Sequence, residues 1–177
     1  MSKDIKYMSK AKLKKELQLL TKEQLVEQIL DLYDKNKAVK EFYNFYLDPQ
    51  SENVLAEKYI TIIRKEFSKD YPKFSVAKKA ISDFKSLSPS PESLANVMMV
   101  LPETVCEFTY VYGDMDEPFY NAAYNNFSAA LKYIEQNELL KQFKNRAEQC
   151  VKWASTSGYG FADEIEDVYL EYYGELK

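Results

Sequence analysis

The chain has 177 residues, 46% of them hydrophobic and 29% charged, with a formal net charge of −4, no histidine and only two cysteines, Cys106 and Cys150. The absence of histidine excludes Ser-His-Asp and Cys-His catalysis, two-His-carboxylate iron sites, the usual zinc sites and histidine phosphotransfer, because no other side chain titrates near neutral pH unaided. Two cysteines are too few for a disulfide scaffold and read as buried thiols in a reducing cytosol.

Four glycines and six prolines favour long helices over many tight turns. The spacing predicts a first, lysine-rich helix with Leu13, Leu17 and Leu20 on one face, ending near Leu20. Thr21 and Gln24 then form a capping box, and Leu25, Ile29, Leu32, Tyr33, Val39, Phe42, Phe45 and Tyr46 continue one helical stripe until Asp48-Pro49 stops it. A third helix carries Leu55, Tyr59, Ile62, Ile63 and Phe67, and a fourth carries Ala77, Ala80, Ile81, Phe84 and Leu87. Ser90 caps a fifth with Pro91 at its first position, where a missing N–H costs nothing.

Pro102 is read as the break between the fifth helix and a sixth, which runs from about Glu103 to Tyr112 and meets Gly113. Pro118 opens a seventh with Tyr120, Tyr124, Phe127, Leu131 and Ile134 inward. Asn137 is expected to cap an eighth holding Leu140, Phe143, Ala147, Cys150, Val151 and Ala154, and Gly158-Tyr159-Gly160 turns into a ninth with Phe161, Ile165, Tyr169 and Tyr172. No stretch alternates with period two for long enough to compete as a strand. The expected fold is all-α: about nine helices in successive antiparallel hairpins, forming a compact orthogonal bundle or a short superhelix. No Gly/Ser-rich linker marks a second domain, so residues 1–177 read as one helical domain with 1–20 as a peripheral basic arm.

Charge is sorted along the chain. Residues 1–15 hold six lysines against Asp4, whereas no basic residue stands between Lys85 and Lys132. Glu92, Glu103, Glu107, Asp114, Asp116 and Glu117 are the acids of that span, and the stretch from Phe161 is acidic again. Two accounts of the lysine-free span are open: helices that are largely buried, or an acidic, aromatic-lined face that meets a basic partner.

Candidate chemistry concentrates at Tyr110 to Tyr120. Asp114, Asp116 and Glu117 are hard oxygen donors, but the loop lacks the glycine and glutamate positions of an EF-hand, and acids ahead of Pro118 suit a helix N-terminus. No metal, cofactor or catalytic residue is assigned. Ser155 to Phe161 lacks the lysine and spacing of a phosphate-binding loop. Ser75-Val-Ala-Lys78 fits S-x-x-K, a pattern that recurs by chance at Ser9/Lys12 and Ser82/Lys85. The longest unbroken apolar run, Val97 to Leu101, is far below the ~20 residues that span a bilayer, and the expected location is cytoplasmic.

Leu-Val-x-x-Ile-Leu-Asp-Leu-Tyr-Asp-Lys-Asn-Lys behind the lysine-rich helix, Phe74 to Phe84, Glu107 to Asp114 through Phe119-Tyr120, and Gly158-Tyr-Gly-Phe161 together resemble an uncharacterised bacterial family classed as a domain of unknown function. The resemblance covers residues about 10 to 173 and implies a small, helical, cytosolic protein. It brings no activity or site residues.

The functional expectation is a non-enzymatic interaction protein. It binds a basic or apolar-tipped protein surface, or a second copy of itself, through Tyr112, Asp114, Asp116, Glu117, Phe119, Tyr120 and Tyr159. The alternative is a small-ligand-binding or carboxylate-based enzyme domain with a divalent cation. Non-specific nucleic-acid binding by the lysine arm ranks third. No membrane role is expected.

Overall fold

The computed structural model describes residues 7–48, 51–158 and 160–175, and 79% of these are helical, with no strand among them. The described helices are α1 (Lys10–Leu17), α2 (Lys22–Lys35), α3 (Lys37–Leu47), α4 (Ser51–Glu66), α5 (Phe74–Lys85), α6 (Pro91–Tyr112), α7 (Glu117–Gln136), α8 (Leu140–Ala154) and α9 (Phe161–Tyr173). They fall into two units, Met1–Asp48 and Pro49–Lys177.

The first unit is built from capped helices with little packing. Ser9 Oγ accepts from the Lys12 N–H at 3.3 Å, and Thr21 and Gln24 close a reciprocal capping box at 3.2 and 2.9 Å. The stripe expected to run unbroken to Tyr46 divides at Asn36. Its N–H ends α2 on the Leu32 carbonyl, and its Oδ1 caps α3 through the Ala38 N–H at 3.0 Å. Asparagine competes with the backbone in this way, and the apolar spacing running across it hides the break. α2 packs against α3, where Tyr33 meets Tyr43 edge-on, and within α3 Phe42 meets Tyr43 edge-on and stacks with Tyr46. No described side chain of α1, α2 or α3 is buried.

The second unit is organised around α6. This helix packs against α4, α5, α7 and α8, and it buries eleven residues, from Leu94 to Thr109, around most of its circumference, leaving a polar stripe at Asn96, Glu103 and Glu107. A helix apolar over most of its surface belongs at the centre of a domain. Much of the lysine-free span is therefore this central helix and the inner face of α7, where Phe127, Ala130, Leu131 and Ile134 are fully enclosed. The neighbours present narrower stripes: Tyr59, Ile63 and Phe67; Ala77, Ala80 and Phe84; Phe143, Ala147 and Cys150; Phe161, Ile165 and Tyr169.

Pro102 does not end a helix. It lies buried inside α6, which runs through it for 22 residues. An interior proline costs about 3 kcal/mol or more. Full burial of each large apolar side chain returns roughly 1.5–3 kcal/mol, so the central position of α6 outweighs the local penalty. Asn137 likewise caps the end of α7 and not the start of α8. Leu139 N–H reaches the Ile134 carbonyl and Glu138 N–H the Glu135 carbonyl, both at 2.9 Å, with Glu138 at φ +60°. That is a Schellman closure, with Ile134 and Leu139 as its apolar pair.

Candidate functional site

The segment that carries the candidate residues begins where α6 runs out of core. Val105, Cys106, Phe108 and Thr109 face inward, so the next three side chains overrun the bundle. Tyr110, Val111 and Tyr112 are 55%, 61% and 69% exposed. Gly113, at φ +90°, ends the helix with its N–H on the Thr109 carbonyl. An L side chain is strained at that angle.

Asp114 then ties this turn to the one between α8 and α9. Its Oδ1 accepts from the Gly158 N–H at 2.6 Å and from the Tyr120 hydroxyl at 2.8 Å, while the Tyr120 oxygen accepts from the Met115 N–H at 3.0 Å. The Gly158 N–H and then the Tyr120 hydroxyl hold the Asp114 carboxyl below its ordinary range. Burial, followed by the neighbouring Asp114, moves the Tyr120 phenol up against the pull of the Met115 N–H. Gly158 sits close to this carboxylate: a Cβ there would stand 3.0 Å from Asp114 Oδ2, so Asp114 would have to shift by a few tenths of an ångström. Asp116 Oδ1 caps α7 through the Phe119 N–H at 3.0 Å, and exposed Glu117 occupies the first turn, where the helix dipole favours a carboxylate.

The candidate residues therefore separate. Tyr112, Asp114, Asp116 and Glu117 reach the surface, whereas Phe119 and Tyr120 are buried. Phe119 sits in an aromatic cluster with Phe67, Phe74 and Phe108, and Tyr120 stacks on Phe161 at 4.3 Å. Tyr159 lies outside the described residues. Tyr110 and Val111, inside the candidate segment but not among the expected partner-binding residues, take the exposed positions beside Tyr112. Their signal was phase: three successive apolar residues ending a helix cannot all face one core.

Beside this lip runs a groove of about 320 Å³ between α4 and α6. Phe67 and Phe108 form its floor, and Arg64, Ser68, Thr104, Glu107, Val111 and Tyr112 its walls. The Tyr112 ring rests 4.6 Å from that of Phe108, so the groove ends at an aromatic wall.

Two further polar clusters sit elsewhere in the second unit. Arg146 of α8 donates to Glu103 through Nε at 2.5 Å and Nη2 at 2.7 Å, and to Asn96 Oδ1 through Nη1 at 2.7 Å. It lines a polar cleft of about 520 Å³ together with Glu52, Ser90, Asn96 and Phe143. Glu66, at the end of α4, accepts from the Lys73 N–H at 3.0 Å and pairs with Lys69, and these contacts lower its pKa, the Lys69 bond most. Cys106 and Cys150 are both fully enclosed, and burial, then the neighbouring Cys106, pushes the Cys150 thiol well up. Among the described residues no three Asp, Glu, Cys or His side chains converge as metal ligands, and no helix is long and apolar enough to cross a membrane.

Fold and surface together define an all-helical bundle whose most distinctive exposed feature is an acidic, aromatic lip at the end of its central helix. The chain belongs to the family of unknown function DUF6155, which it matches over residues 8–172. No curated protein and no solved structure matches it.

Proposed function

We propose that this protein is a non-catalytic interaction module that docks a basic, apolar-tipped segment of a partner protein on the lip formed by Tyr110, Val111, Tyr112, Asp116 and Glu117 and the adjoining α4–α6 groove. The observation that carries the reading is the exposure of three consecutive large side chains, Tyr110, Val111 and Tyr112, at the end of the helix that buries eleven residues in the core. Exposed apolar side chains grouped in this way, with charge at the rim, suit recognition more than solubility. Glu107 and Arg64 both line the groove, and exposed Asp116 and Glu117 follow Gly113 in the chain, an excess of negative charge that favours a basic partner and speeds the encounter.

The carboxylates' commitments support binding over catalysis. Asp114, Asp116, Glu103 and Glu66 already accept from named donors, and the depressed pKa values of Asp114 and Glu66 make them weak bases at neutral pH. The cleft at Arg146 favours a second reading, a small polar ligand held by the guanidinium and the Phe143 ring face, which lies 5.2 Å away.

The test is an array of lysine- and arginine-rich peptides, each tipped with one leucine or phenylalanine, probed with the full chain and with two variants. Tyr112→Ala and Asp116→Lys/Glu117→Lys should each lose the peptides that the parent retains while keeping its helicity. Equal retention by parent and variants would remove the lip from the account.

A further inference from the structure

The three helices of the first unit have no fully buried described side chain, and Leu13, Leu30 and Leu32 are 47%, 56% and 55% exposed. An eight-residue helix such as α1 is not stable in water on its own caps. Its apolar side requires a cover.

Two shallow grooves show what kind of cover fits. One runs along α1 and is basic, with Lys10 and Lys14 flanking Leu13 and Leu17. The other runs along α2 and is acidic, with Glu27, Asp31 and Asp34 beside Leu30. Leu20 lines both, so the basic wing on α1 and the acidic wing on α2 adjoin at an apolar residue, and together they make one strip. Asp31 is partly met by Lys35 on its own helix, which leaves Glu27 and Asp34 as the carboxylates that define the acidic wing.

We infer that this strip pairs with its own copy: a two-fold axis near Leu20 lays the basic wing of each chain on the acidic wing of the other. A two-fold interface requires a self-complementary surface, and a strip of opposite charge about an apolar centre meets that requirement. Each contact forms twice, and the leucines of both chains become a shared core, giving α1 the packing it lacks. The pairing is independent of the lip at Tyr112, which belongs to the other unit.

The test uses the full chain in sedimentation equilibrium at low salt and again in about 1 M NaCl, where the screening length falls to about 3 Å. The parent should dimerise at low salt and dissociate at least about tenfold more readily at high salt. Lys10→Glu/Lys14→Glu gives two acidic wings and Glu27→Lys/Asp34→Lys gives two basic ones, so each variant alone should be monomeric. An equimolar mixture of the two should recover a heterodimer, and the variant carrying all four changes should recover the homodimer. Leu20→Cys, placed on the axis, should form a disulfide-linked dimer under mild oxidation, with Cys106 and Cys150 enclosed and silent. A parent that stays monomeric at low salt would overturn the inference, as would a dimer that survives either charge reversal or a mixture that fails to pair. If a reversal variant loses helicity, the Leu20→Cys cross-link on the otherwise parental chain decides alone.

Discussion

Removing Arg146 gives the sharpest energetic test of how the second unit is held together. Its guanidinium joins α8 to α6 by a two-pronged pair with Glu103 and a third bond to Asn96, with side-chain exposures of 30% for Arg146 and 17% for Glu103. A fully exposed pair contributes about 0–1 kcal/mol, whereas breaking a buried one costs about 3–5 kcal/mol because one charge is left unpaired. This pair lies between those limits. Arg146→Met should therefore cost about 2 kcal/mol, and Glu103→Gln about 1 kcal/mol, since the glutamine oxygen still accepts one bond. In a domain of this size about 1 kcal/mol moves the melting temperature by roughly 3–5 °C, so thermal unfolding followed by circular dichroism resolves both. The double change Glu103→Leu/Arg146→Met should be less destabilising than the sum of the two single losses, because no charge is then stranded. An Arg146→Met melting temperature within about 1 °C of the parent would refute the reasoning, since it would mean that the pair is effectively solvent-screened.

Three further outcomes follow from the same contacts. The folded-state pKa of Asp114 is depressed, so its contribution is complete above the unfolded value of about 3.9 and is lost as pH falls through the lower folded value; melting curves from pH 6 to 3 should be flatter at the acid end for Asp114→Asn than for the parent. Tyr169 is fully enclosed and donates to Glu148 at 3.0 Å, and burial, then that carboxylate, pushes its phenol up to about 12. Its neutral form is favoured on folding, so its contribution is full below pH 10 and lost as pH rises towards 12; Tyr169→Phe should remove that part of the alkaline decline. Finally, Cys106 and Cys150 should react with a thiol reagent only at the rate of unfolding, and rapid labelling of the native protein would contradict their placement.

What could be read from the sequence was local. The capping box at Thr21 and Gln24 and the Ser90-Pro91 start of α6 are decided by neighbours within four residues, and both stand in the structure. Pro102 misled because its cost is local while the compensation, burial of eleven residues of α6, is tertiary. The break at Asn36 was masked by apolar spacing that continues across it. At the lip, aromatic residues flank Gly113 on both sides, and only the phase set by Val105 and Phe108 in the core distinguishes exposed Tyr110 and Tyr112 from buried Phe119 and Tyr120. The Asp114–Gly158 and Arg146–Glu103 contacts join residues 44 and 43 positions apart, which no short-range pattern announces.

The most direct measurement of the proposed role is an amide shift map of the isotope-labelled full chain titrated with a basic, leucine-tipped peptide chosen from the array. Docking on the lip predicts that the saturable shifts concentrate at Thr104, Glu107, Val111, Tyr112, Gly113 and Glu117. Shifts that instead gather around Asn96, Gln142 and Arg146, or that spread evenly and never saturate, would contradict it.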